Sequence, residues 1–181
     1  SKAFYSNMAQ RLEHHTINSR KGDTLMAGWQ RINITPNRSV NLAGYGIRGP
    51  VDQVHDSLFA KIMVFDNGAM KVALISLDLI VFPRILSENL LKALLEGQLP
   101  VDGLFFGAIH THNGYGHWER APAIQLAFGK YRRSLLADVQ KKIESALRQA
   151  VENRKPARAG FLKAAAPEYV INRLDTENGK K

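Results

Sequence analysis

Two histidines separated by one residue, His110 and His112, carry the clearest chemical signal in this sequence. They follow an apolar run, 101–109, that has the length and composition of a buried β-strand. Along an extended chain alternate residues point to the same side, so we expect both imidazoles on one side with Cα atoms about 7 Å apart. One imidazole is suited to hold a metal ion while the other acts on a substrate. The pattern therefore predicts a candidate site at the exit of this strand.

Three other features bear on the same candidate site. His117 is either a third metal ligand or a residue of the pocket wall, and its spacing does not decide which. Asp78 follows another strand-like run, and it is a candidate for orienting a site histidine through a hydrogen bond. The glycine-rich stretch 37–49, which contains Gly44-Tyr45-Gly46, reads as a loop and a candidate wall of the site.

The elements that must position these residues alternate between strands and helices in the second half of the chain. Apolar and alternating runs predict strands at 28–35, 58–66, 71–78, 101–109 and 158–163. Helical periodicity predicts helices at 83–96 and 131–153, and a loop is expected from the histidines to about Gly129. Asn67-Gly68 predicts a hairpin between the second and third strands. We therefore expect an α/β fold, a mixed sheet with flanking helices.

One domain accounts for most of the chain. Residues 1–26 show no clean period and are interpreted as an N-terminal arm, with a helical turn near 8–12, whereas 27–181 form the α/β domain. The chain contains no internal repeat and no apolar run of about 18 residues that would span a membrane.

Composition excludes several classes of site and partner. The 181 residues include no cysteine, so disulfides, thiolate metal sites and a cysteine nucleophile are excluded. The net charge of +9 is spread along the sequence without a nucleic-acid-binding motif, so no nucleic-acid partner is expected. Attraction to anionic lipid head groups, and thus peripheral membrane association, fits the charge better. The oligomeric state is left open.

Several stretches, taken in order, resemble the N-terminal domain of neutral/alkaline non-lysosomal ceramidases and their bacterial relatives. The resemblance runs from about Ala27 to Arg173. The matching stretches are Arg31-Ile32-Asn33-Ile34-Thr35-Pro36, Leu42-Ala43-Gly44-Tyr45-Gly46, Val54-His55-Asp56-Ser57-Leu58-Phe59-Ala60-Lys61, Ser76-Leu77-Asp78, His110-Thr111-His112-Asn113-Gly114 and Ile171-Asn172-Arg173.

The resemblance implies a zinc-dependent amidohydrolase that cleaves the N-acyl bond of ceramide-like lipids. It implies His110 as a zinc ligand, and His112 and Arg173 as residues beside the scissile amide. It also implies an exported protein. The family's remaining zinc ligands and its serine nucleophile lie beyond the part matched by Arg173. We therefore expect this chain to be the N-terminal part of a larger catalytic domain and to be inactive alone.

Two alternative functions remain open at this point. One is a zinc hydrolase of the same fold that acts on another amide or ester. The other is a non-catalytic binding or scaffold domain in which the histidines are structural.

Overall fold

The described part of the chain, residues 24–47 and 49–165 of a computed structural model, folds around one five-stranded sheet. The strands are β1 (Met26–Asn33), β2 (Phe59–Asp66), β3 (Lys71–Leu77), β4 (Gly103–Ala108) and the two-residue β5 (Lys155–Pro156). The helices are α1 (Arg84–Leu95), α2 (Pro122–Phe128) and α3 (Arg133–Glu152). The predicted fold class, a mixed α/β sheet with flanking helices, is confirmed.

The sheet has the strand order β4-β3-β2-β1-β5 and contains both strand orientations. β1, β2 and β3 pair antiparallel, and the predicted Asn-Gly hairpin joins β2 to β3, with the Asn67 amide donating to the Met70 carbonyl at 3.2 Å. β3 and β4 are parallel and are connected through α1. Parallel neighbours bring their carboxyl ends to the same edge of a sheet, so the residues after β3 and after β4 lie side by side.

Alternation along the strands explains which face of the sheet is buried. The long helix α3 packs on β1 and β2, and its apolar stripe covers that face. Alternate residues of β2 and β3 lie beneath the helices and are almost fully buried: Ala60, Ile62, Val64, Ala73, Ile75 and Leu77. This single core fixes the strand ends from which the candidate site is built.

The opposite face of the sheet carries an exposed apolar row. The row runs in register across four strands as Trp29, Met63, Leu74 and Phe105. Phe105 is 61% exposed, and β4 lies at the edge of the sheet. The prediction of a buried strand before the histidines is therefore wrong in part, because only the side of β4 that bears Leu104 and Phe106 packs against the core.

Two other sequence predictions differ from the structure. The stretch expected to be a loop up to Gly129 contains α2, which buries no residue and so leaves no periodic stripe in the sequence. No strand forms at 158–163. Phe161, in the middle of this range, is 93% exposed, and the short strand β5 lies just before it.

The predicted arm 1–26 lies almost wholly outside the described residues, and β1 begins at Met26. Among the described residues no helix combines the length and apolar character needed to cross a membrane.

Candidate active site

His110 lies where the parallel strands β3 and β4 end together. The amide of Ile109 still pairs with β3, donating to the Leu77 carbonyl at 3.1 Å. At His110 the backbone then turns into a left-handed conformation with φ of 59°. Such a conformation is uncommon for a residue with a side chain and is found often at functional sites. The turn places the His110 ring beside the residues that follow β3.

The ring of His110 is held in one tautomer by a backbone carbonyl. Its Nδ1–H donates to the carbonyl oxygen of Ile80 at 2.8 Å, because a carbonyl can only accept. In the neutral ring the other nitrogen, Nε2, then carries the lone pair, and the residue is exposed. A ligating histidine commonly has this arrangement, with one nitrogen fixed by a carbonyl and the other free to bind.

His112 lies next to His110, as the sequence predicts, although the chain turns at His110 and is not an extended strand there. The centroids of the two rings are 5.3 Å apart and the rings meet edge to face at 64°. Tyr45, from the loop between β1 and β2, contacts His112 on another side, with ring centroids 5.1 Å apart. The predicted wall formed by the glycine-rich loop is therefore present beside this pair of histidines.

His117, for which the sequence left two roles open, is a buried residue that joins Asn41 to Lys130. It is 2% exposed, and both ring nitrogens are engaged: Nδ1 donates to the Lys130 carbonyl at 2.8 Å and Nε2 accepts from the Asn41 amide at 2.9 Å. Burial lowers the pKa of His117 below its ordinary value, and the charge of Arg132 lowers it further, against the opposing effect of the Lys130 carbonyl. With no free nitrogen, His117 is not available as a metal ligand in this conformation.

Asp78 does not orient a site histidine, so that prediction is wrong. Its carboxylate is buried and accepts from the Lys61 ammonium at 2.7 Å and from the Phe59 amide at 3.0 Å. It therefore fixes the start of β2 against the end of β3. The role predicted for Asp78 is filled by the Ile80 carbonyl, which sequence reasoning missed because a backbone oxygen leaves no trace in residue type.

A cavity of about 580 Å³ lies against the same segment but on its other side. Ile109, Thr111 and Asn113 line it, together with residues of the 35–58 loop and Asp78. His110 and His112 are not among the lining residues. Alternate residues of this segment therefore face two different surroundings, the cavity on one side and the histidine pair on the other.

The described residues contain part of a metal site at most. His110 offers one nitrogen, Nε2, because Nδ1 is bound to the Ile80 carbonyl. Within 24–47 and 49–165, however, no three His, Cys, Asp or Glu side chains cluster closely enough to hold an ion. A catalytic zinc ion has three protein ligands as a rule. Arg173, the other predicted site residue, lies outside the described residues.

Comparison with solved structures identifies the fold. The chain is similar to neutral ceramidase from Pseudomonas aeruginosa, with a TM-score of 0.64 and 18% sequence identity. A structure described as a ceramidase complexed with C2 gives a TM-score of 0.59, also at 18% identity. Each similarity covers 74% of this chain and 22% of the solved chain, so the sequence spans less than a quarter of those proteins.

Comparison of the sequence with family models and curated proteins finds no match. The fold found here, a mixed five-stranded sheet with flanking helices, is thus like that of one part of the neutral ceramidases.

Proposed function

We propose that this chain supplies part of the active site of a zinc-dependent amidohydrolase that cleaves the N-acyl bond of ceramide-like lipids. The observation that carries the proposal is the hydrogen bond from His110 Nδ1 to the Ile80 carbonyl, which leaves Nε2 free beside His112. The likeness of the fold to neutral ceramidases supports the choice of reaction.

In this proposal each residue has a separate task. His110 would hold a zinc ion through Nε2, and the Ile80 carbonyl keeps the ring in the tautomer suited to that role. Zinc, when bound, would supply a Lewis acid for hydrolysis of the amide. His112, next to it, donates to the developing oxyanion or moves a proton to the leaving amine. Arg173 stabilises negative charge near the same atoms.

Zinc content and hydrolysis, measured together, test the proposal. The longest natural form that contains these residues is assayed on an N-acyl sphingosine and on soluble amides and esters. We expect near-stoichiometric zinc that is lost in His110→Ala. We expect His112→Ala to keep zinc and to lose about 10²–10⁴-fold in rate, the usual worth of a positioned acid–base group.

His55→Ala is the matched control, because the His55 side chain is 97% exposed and lies in the loop before β2. It should retain both zinc and activity. Hydrolysis of soluble amides or esters without hydrolysis of the lipid amide would favour another substrate for the same site. If the protein bound no zinc and hydrolysed nothing, the histidines would be structural and the domain non-catalytic.

A further inference from the structure

Gly44 lies against the ring of His112. A Cβ atom built on Gly44 would be 2.6 Å from both Cγ and Nδ1 of that ring, and 2.9 Å from Cδ1 of Ile80. Real Cβ atoms do not approach other heavy atoms so closely. Gly44 also has a φ of +109°, which L residues with side chains rarely adopt. The space that the His112 ring occupies therefore exists only because residue 44 has no side chain.

Tyr45 bounds the same ring from another direction. Its ring and that of His112 meet edge to face, at 68° between planes. His112 thus has aromatic neighbours in both Tyr45 and His110, with centroids 5.1 Å and 5.3 Å away. Edge-to-face pairs of this kind are favourable and depend on ring orientation, so they favour one orientation of the His112 ring.

Backbone hydrogen bonds tie the segment 41–45 to the loop that follows the histidines. The Ala43 amide donates to the Gly114 carbonyl at 2.9 Å, and the Gly116 amide donates to the Asn41 carbonyl at 2.8 Å. The Asn41 amide donates to the buried His117 ring at 2.9 Å. The distance between Gly44 and His112 is therefore set by a hydrogen-bonded pair of segments and not by a loose loop.

We propose that Gly44 and Tyr45 position His112, holding its imidazole at a fixed distance and orientation beside His110. Gly44 provides the space and Tyr45 limits rotation of the ring. The catalytic meaning of this positioning rests on the proposed function. The positioning itself is a property of the described residues and is testable without metal or substrate.

Gly46 provides a matched control in the same loop. Its φ is +75°, so alanine is strained there too, but a Cβ atom would meet nothing within 4 Å. Gly46→Ala therefore changes the backbone preference alone, whereas Gly44→Ala adds the collision with His112. The difference between the two variants isolates the contact with the ring.

The test is NMR of the 181-residue chain with isotope-labelled histidine, without metal or substrate. In the wild type we expect nuclear Overhauser effects between the ring protons of His110 and His112, and between those of His112 and Tyr45. Gly46→Ala should retain them. Gly44→Ala should lose the first set and shift the His112 ring signals. If Gly44→Ala gave the same His110–His112 contacts as Gly46→Ala, the positioning role of Gly44 would be excluded.

A second pair of variants covers the case in which Gly44→Ala does not fold. Tyr45→Phe keeps the ring, and it should keep the contacts between His112 and His110; Tyr45→Leu removes the ring and should weaken them. Equal contacts in both Tyr45 variants would overturn the role of Tyr45. Unfolding midpoints add a coupling measurement. The loss of stability by which Gly44→Ala exceeds Gly46→Ala should become smaller in a His112→Ala background, because the ring is then absent while the strain at the positive φ remains. An unchanged loss there would mean that residue 44 does not act through His112.

Discussion

The Nδ1–H of His110 donates to the carbonyl oxygen of Ile80 at 2.8 Å. These two residues follow two parallel strands, β4 and β3, and the parallel pairing is what brings them to one edge of the sheet. A helix, α1, separates the strands in the sequence, so the contact depends on the βαβ crossover. The state of a candidate metal ligand is thus set by the topology of the sheet.

The first prediction is that His110 is present as the Nδ1–H tautomer when neutral. The Ile80 carbonyl can accept a hydrogen bond but cannot donate one, so the proton must lie on Nδ1. Long-range ¹H–¹⁵N correlation of labelled histidine at neutral to mildly basic pH distinguishes the two nitrogens directly. If Nε2 carried the proton in the metal-free chain, the proposed ligating geometry would be absent.

The second prediction concerns Asp78, which is structural in this fold. Asp78→Ala should destabilise the protein by about 1–3 kcal/mol, because the Phe59 amide loses its acceptor and Lys61 loses its partner. The measurement is denaturant unfolding, with Asp56→Ala as the control because the Asp56 side chain is 89% exposed. The ¹⁵N shifts of His110 should be the same in the wild type and in Asp78→Asn, and a change of tautomer there would restore the role first predicted from the sequence.

The sequence predicts the strands and the long helix that have a clear apolar pattern. β2 and β3 lie within one residue of their predicted bounds, and α3 within two, because each buries one face and the residue pattern records it. The exposed side of β4 was not predictable, since an apolar run does not tell whether a strand lies in the middle or at the edge of a sheet. α2 buries no residue, so it left no pattern to detect.

The candidate site likewise has features that the sequence predicts and features that it does not. Alternation predicts that His110 and His112 share a side of the chain, and the structure brings them together. The roles of Ile80 and His117 could not be predicted from the sequence. The first acts through a backbone carbonyl, and the second is decided by burial among residues from distant segments.

The third prediction concerns the close contact between β1 and α3 at Gly28. A Cβ atom on Gly28 would lie 2.0 Å from the Ala150 carbonyl oxygen, so strand and helix must separate to accept alanine. Gly28→Ala should cost about 1–3 kcal/mol or more, as overpacking of a core does. The matched control is Gly107→Ala in β4, where a Cβ atom meets nothing within 4 Å. Equal unfolding midpoints for the two variants would show that β1 and α3 do not pack this closely.

The last prediction is a loss of stability in acid that depends on His117. The ring is buried in its neutral form, and protonation of Nε2 would set a donor against the Asn41 amide. Because the pKa in the folded protein is lowered from the ordinary 6.5, the unfolded chain binds the proton more readily. Stability is therefore retained in full above pH 6.5 and is lost as the pH falls through the lowered pKa of the folded state.

Unfolding midpoints across this pH range measure the effect. His117→Ala should be less stable than the wild type above pH 6.5, because the Asn41 amide and the Lys130 carbonyl lose their partner, yet its stability should depend less on pH. His55→Ala removes a histidine that is almost fully exposed, so it should keep the pH dependence of the wild type. If His117→Ala kept the full acid sensitivity, other groups would be its source, and the buried neutral ring would not control the loss of stability in acid.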